Sequence, residues 1–215
     1  MYKATSLRSP SVRLLIVTAC TSRKKFAPLD QLTAADLDEP ASRQHGEARL
    51  AGYCLACVEM YTGTGHNLAG KIHAFGIGGT ATLHLAAILR LDSVDSLGWR
   101  NRAARGIIQL PGRGDRLLIQ LGNWRGRSLD KKEQALLDEC KCPGCQEAGI
   151  EGLSISETIG FARRATHNLY VLLAELNEID NRLKNGSYHA WYSTHVFNGT
   201  FLRLIDYALK KMSVK

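Results

Sequence analysis

The sequence predicts an α/β fold with a C-terminal helical subdomain. Two patterns support this prediction. Short β-branched runs alternate with Ala/Leu-rich stretches through residues 71–130, as in parallel βα units. A long apolar-periodic stretch then follows Ser154, and stretches of that length fold as helices.

The elements follow in order. Val12 to Ala19 is a short apolar run entering the polar loop Cys20-Thr21-Ser22-Arg23-Lys24-Lys25, which reads as a buried strand and its exit. Glu47 to Tyr61 places Leu50, Tyr53, Cys54, Cys57 and Met60 at helical spacing. Ile72 to Ile77 reads as a second buried strand, Thr80 to Arg90 as a short helix, and Leu91 to Val94 as a third strand. Ile107 to Leu110 and Leu117 to Leu121 are short β runs, and Asp130 to Glu139 is a short helix. Ser154 and Glu157 have capping-box spacing ahead of a helix that runs to about Leu183, where Asn185-Gly186 stops it. Tyr188 to Met212 is a last helix with a weak point at Asn198-Gly199.

With 215 residues, 45% of them hydrophobic, the chain can bury a core as one ordinary domain or two small ones. We place the division at residue 70, leaving residues 1–70 as an α/β segment and 71–215 as the main unit. The longest apolar runs fall far short of the ~20 residues a bilayer demands. The polar N-terminus has no apolar core of a secretory signal, so a cytoplasmic location is expected.

The net charge of +8 is concentrated. Between Trp99 and Arg127 lie seven arginines (100, 102, 105, 113, 116, 125 and 127) and one acid, Asp115. Arginine's planar fork suits phosphates and base edges. Trp99 and Trp124 flank the window and are placed to stack on bases. Nucleic-acid contact is expected there, with Arg100, Arg102 and Arg105 as its leading residues.

The strongest chemical signal is Cys140-x-Cys142-x2-Cys145 with His167 downstream. Three thiolates and one imidazole fill a tetrahedral structural zinc site with no open position. Pro143-Gly144 provides the turn between Cys142 and Cys145, and His167 lies on the long helix, which the Zn2+ ion pins to this knuckle (140–167). Cys54-x2-Cys57 has similar spacing but sits on an apolar helix without further ligands, so it reads as core. Phe75-Gly76-Ile77-Gly78-Gly79 is a glycine loop after a strand, able to cradle phosphate, admit a flat ligand or simply turn. Asp92 and Asp95 stand at a strand end, where a carboxylate serves either as a nucleophile toward a sugar carbon or as a turn or cap residue.

In this order, Phe75-Gly-Ile-Gly78, Leu91-Asp-Ser-Val-Asp95, the arginine-rich stretch, Leu137-Asp-Glu-Cys-Lys-Cys-Pro-Gly-Cys145 and Thr166-His-Asn-Leu-Tyr-Val171 resemble the C-terminal half of the tRNA-guanine transglycosylase superfamily. The resemblance covers about residues 71–212. The wording from Asp92 to Gly106 is most similar to the DpdA-type branch, whose members place 7-deazaguanine bases in DNA. The resemblance implies part of a TIM barrel, with Ile72 to Ile77 on a late strand and Leu91 to Asp95 on the last, both ending at the catalytic face. It implies that Asp95 is the nucleophile at C1′, that Phe75 and Gly76 hold the base, and that the arginines after Asp95 contact DNA, or alternatively tRNA. A full barrel needs ~250 residues, and no acidic residue in 1–70 has a context marking it as the acid–base partner. The alternative expectation is therefore a zinc-containing binding subunit or degenerate copy that works with a partner protein or as a homodimer.

Overall fold

The computed structural model of the chain describes residues 13–15, 73–74, 76–197 and 199–213. Its mixture of helix and sheet agrees with the expected α/β class in coarse terms. Three short strands form a parallel sheet: β1 (Arg13–Leu15), β2 (His73–Ala74) and β3 (Ser93–Asp95). Their order is β1-β3-β2, with Leu14 opposite Val94 and Ala74 opposite Val94 on the other side. The central strand is therefore β3, and the residues around its C-terminal end are Leu15, Asp95 and the chain leaving Ala74. Phe75, Cys20, Cys54, Cys57 and the predicted helix Glu47 to Tyr61 lie outside the described residues.

Helix α1 (Thr80–Ile88) joins β2 to β3 and is buried on nearly all sides, which suits its Ala/Leu composition. A short helix α2 (Gly98–Ala104) then interrupts the arginine-rich window. Strands β4 (Ile107–Leu110) and β5 (Gly114–Leu117) form an antiparallel hairpin, with Ile107 opposite Leu117 and Leu110 opposite Gly114. This corrects two expectations. The βα pattern does not extend to residue 130, and the second β run sits upstream of Leu117 to Leu121. A hairpin with a short turn needs no crossover helix, and none separates these two runs.

Five helices complete the described part of the fold: α3 (Lys131–Asp138), α4 (Pro143–Leu153), α5 (Thr158–Lys184), α6 (Tyr188–His195) and α7 (Gly199–Ser213). The capping box forms at a different place from the expected one. Asp130 accepts the Glu133 N–H at 2.9 Å, and Glu133 accepts the Asp130 N–H at 3.2 Å. Ser154 instead closes α4 by donating its hydroxyl to Ile150 O at 2.8 Å, so Ser154 and Glu157 form no box. The predicted last helix is two helices, divided at the Asn198-Gly199 weak point.

The core has two parts. The larger packs α1 and β3 against the second half of α5 and against α6 and α7, through Leu83, Val94, Leu172, Ile179, Tyr188 and Ile205. The smaller joins β4, α3 and α4 through Ile108, Leu110, Leu137, Cys142, Cys145 and Leu153. Helix α5 serves both. Its 27 residues span about 40 Å, enough to run from one core to the other. Near its start the fully buried Arg164 donates to three backbone carbonyls, of Ala103 (2.9 Å), Leu153 (2.7 Å) and Ile155 (2.7 Å), tying the ends of α2 and α4 to α5. Among the described residues no helix is long and apolar enough to cross a membrane.

Candidate metal centre and cleft

Cys140, Cys142, Cys145 and His167 come together as the sequence predicts. The His167 Nδ1 atom lies 3.6, 3.5 and 3.3 Å from the three sulfurs in chain order. A tetrahedral ion with bonds of about 2.3 Å to sulfur and about 2.0 Å to nitrogen separates those atoms by about 3.5 Å, so the four side chains fit such an ion. Cys142 and Cys145 are buried, and Cys140 is partly so. Hydrogen bonds from Cys142 and Cys145 to the Cys140 sulfur hold its thiol well below the ordinary thiol range, against the opposing effect of burial.

The local geometry corrects one detail. Pro143-Gly144 is not a bare turn but the first turn of α4, with Cys142 as its N-cap. Proline is favoured there because its missing N–H has no helical partner to lose. The Cys142 sulfur accepts the Cys145 N–H at 3.2 Å, which sets the two ligands on one side of the helix start.

Supporting contacts fix His167. Its Nε2 donates to Gln109 O at 2.9 Å, leaving Nδ1 for the thiols. Its neighbour Asn168 accepts the Gln109 N–H at 2.7 Å and donates to Trp99 O (3.0 Å) and Ile107 O (3.1 Å). Together these side chains hold both backbone groups of one residue of β4. Sequence reasoning did not assign Asn168. Its place beside His167 in Thr166-His-Asn-Leu-Tyr was the available signal.

The other predicted site residues lie at the strand ends. Asp95 is buried, and its Oδ1 accepts the Gly76 N–H at 2.5 Å. Its other oxygen has no hydrogen-bond partner among the described residues. Gly76 has φ +74°, which favours glycine, and turns its amide to the carboxylate. Gly78 packs so closely on the segment after β3 that a Cβ there would meet Ser96 Cβ at 2.0 Å. Ser96 in turn donates to Gly78 O at 3.2 Å.

The arginine window divides by structural role. Arg116 is buried and pairs with the fully buried Glu133 at 2.6 Å. Arg127 also bonds Glu133, and Arg113 reaches it at 3.7 Å. Arg102 pairs with Asp115 through Nε at 2.8 and 2.7 Å. Arg100, Arg105 and Arg125 are exposed. Arg105 lies over the Trp124 ring at 3.7 Å, a cation–π contact. Trp124 is exposed, whereas Trp99 packs against the larger core, so only Trp124 is available for stacking on a base.

A cleft of about 460 Å³ opens over the start of α1, α2 and the β4–β5 hairpin, and neither Gly76 nor Asp95 lines it. Its lining includes Gly79, Gly98 and Trp124, with Arg102, Arg105, Arg113 and Arg125 against the single acid Asp115. That charge balance favours an anionic occupant.

A second cluster, unsignalled in the sequence, joins His84, Glu175 and His195. They lie on three different helices at wide separations, so no local spacing marks them.

No family model matches the chain, and no curated protein matches it.

Proposed function

We propose that the chain exchanges bases in nucleic acid, replacing guanine by a 7-deazaguanine derivative through an Asp95 glycosyl ester, on a late segment of a TIM-type barrel. The observation that carries this reading is the Gly76–Asp95 hydrogen bond. It brings together the two transglycosylase-like motifs, which are 19 residues apart, at neighbouring parallel strands. An arginine-lined cleft, whose lining includes Gly79 and Gly98, three residues on from Gly76 and Asp95, suits a polyanion, and Trp124 offers a stacking face. The ion at Cys140, Cys142, Cys145 and His167 is Zn2+ in this reading. The thiolate-rich closed donor set suits it, and its role is to hold the fold.

In the reaction, an Asp95 carboxylate oxygen attacks C1′ of the nucleotide. The C1′–N9 bond breaks, and its electron pair leaves with guanine. The incoming deazapurine then attacks C1′ through its ring nitrogen, releases the carboxylate and gives up its N–H proton, so that overall one proton passes from the incoming base to the expelled guanine. The Gly76 N–H fixes one carboxylate oxygen and leaves the other to react. DNA is the expected substrate and tRNA the alternative. A base within a duplex must first be flipped out, which costs a few kcal/mol.

The test is adduct trapping. Full-length protein is incubated with DNA, or separately tRNA, and a 7-deazaguanine base, then denatured and weighed. A covalent adduct is expected in the wild type. It should vanish in Asp95→Ala, with metal content and nucleic-acid binding retained. An adduct that survives this substitution removes Asp95 from the mechanism. Binding without any adduct favours the second reading, a binding subunit that needs a partner chain, for which the arginine-lined cleft is the supporting observation.

Binding itself has a separate signature. Each neutralised duplex phosphate contributes about 0.9 to the slope of log affinity against log salt. Replacing Arg105 and Arg125 by Gln is expected to flatten that slope by roughly 2. Arg102→Gln should act mainly by loosening its pair with Asp115. A titration series at several salt concentrations checks both statements, and an unchanged slope in the double variant would mean that the cleft is not the binding surface.

A further inference from the structure

Three ligating side chains outside the cysteine cluster converge on one point beside the cleft. His84 on α1 and His195 at the end of α6 both direct Nε2 at Glu175 Oε1 on α5, at 3.0 and 2.7 Å. The three ligand atoms all lie within 4.8 Å of one another. His84 and Glu175 are buried, while the His195 side chain is 21% exposed. His84 also belongs to the wall of the cleft, and the partly exposed His195 is the side of the cluster open to solvent.

The surroundings hold these groups in place. The Tyr188 hydroxyl lies 2.8 Å from His84 Nδ1. Trp191 stacks on His195 with ring centres 4.3 Å apart, and on His84 at 5.6 Å. Metal-binding histidines characteristically have the second ring nitrogen hydrogen-bonded, which fixes ring orientation. Here Tyr188 does so for His84.

We propose that His84, Glu175 and His195 form a second metal site, a two-histidine, one-carboxylate set for a divalent transition ion such as Zn2+ or Fe2+. The donor set selects the ion class, because two imidazoles favour borderline transition ions over Mg2+ or Ca2+, which take oxygen ligands. The separations of 3.0 and 2.7 Å are those of hydrogen bonds to Glu175, and only a small widening brings these atoms to the about 3–3.4 Å that separates neighbouring ligands of such an ion. Three protein ligands on one face leave open coordination positions, in contrast to the closed cysteine centre.

The protons balance simply. Without the ion, each imidazole donates its Nε2–H to Glu175, and Tyr188 donates to His84 Nδ1. With it, each neutral imidazole carries its proton on Nδ1 instead, and the Tyr188 oxygen accepts from His84. A neutral imidazole releases no proton, and an imidazolium releases one.

This proposal is independent of the transglycosylase reading, and its test reads metal rather than activity. The full-length protein is loaded with excess Zn2+, Fe2+ or Co2+, desalted and analysed for metal. About two ions per chain are expected in the wild type, and about one in Glu175→Gln and in His195→Ala. The cobalt spectrum identifies the ion that remains. The intense thiolate-to-cobalt bands should persist in both variants, while the weaker bands of a nitrogen/oxygen site disappear. If Glu175→Gln does not fold, His195→Ala carries the test from its more exposed position. A wild type that never takes up more than one ion overturns the proposal and leaves a hydrogen-bonded network only. A second ion that persists in the folded variants overturns it equally.

Discussion

Cys142→Ala is expected to lose the cysteine-centre ion and unfold the part of the chain built on the smaller core. Cys142 has three roles at once. It is one of the four side chains of the candidate metal centre, it is the N-cap that accepts the Cys145 N–H, and it is fully buried beside Ile108, Leu137 and Leu153. Binding free energy at a structural zinc site is folding free energy, about 10–16 kcal/mol in small zinc peptides at neutral pH. That equals or exceeds the whole stability of a typical domain, roughly 5–15 kcal/mol. The smaller core cannot replace it with apolar contacts. His167 then loses its thiol partners, and its bond to Gln109 no longer ties α5 to β4 through an ordered imidazole. Metal analysis combined with amide hydrogen exchange checks this. Protection should be lost first across β4, α3 and α4, with α1 and α7 less affected. A variant that melts at the wild-type temperature would refute the structural role. Treating the wild type with a strong chelator should produce the same exchange pattern.

Glu133→Ala is expected to cost about 3–5 kcal/mol, the range for breaking a buried ion pair from one side. Its carboxylate is fully buried and bonded by Arg116 and Arg127, while its backbone and side chain form the capping box with Asp130. Burial opposes its charge. Hydrogen bonds from Arg116 and the Asp130 N–H, with the charges of Arg116 and Arg127, outweigh burial and hold its pKa at about 2, below the ordinary 4.5. A depressed acid stabilises the fold fully above its unfolded value. That contribution is lost as pH falls from about 4.5 through about 2. Thermal melts from pH 7 to pH 2 test this by comparison with Glu133→Gln, because acid also displaces the metal in both proteins. The stability gap between the two should be largest at neutral pH and close in acid. A gap that does not change with pH would show that Glu133 acts by shape rather than charge.

Glu133 also explains why the arginine window could not be assigned whole from the sequence. The concentration of seven arginines was legible, and so was its consequence of an anion-attracting face. Which arginines are committed inward was not, because Glu133 lies beyond the window on α3 and meets Arg116 only when the hairpin folds against that helix. Two expectations met the same limit. Ser154 and Glu157 had the spacing of a capping box, yet Ser154 closes the preceding helix. Trp99 flanked the window, yet it packs on the larger core.

By itself the sequence determined the features whose physics is local. The helices at Thr80, Lys131 and Thr158, the stop at Asn185-Gly186 and the break near Asn198 follow from periodicity, caps and glycines within a few residues. The candidate metal centre was legible for a related reason. Three of its ligands lie within six residues, and thiolate chemistry leaves them few other uses in such a pattern. The tertiary structure alone decided what depends on distant side chains meeting. It set Gly76 against Asp95, Asn168 and His167 on Gln109, Glu133 among its arginines, and His84 and His195 on Glu175. In each case the partners are separated by more than a helix turn, so neither residue carries a mark of the other. A buried polar group must find a partner, but only the packing of the elements determines which one.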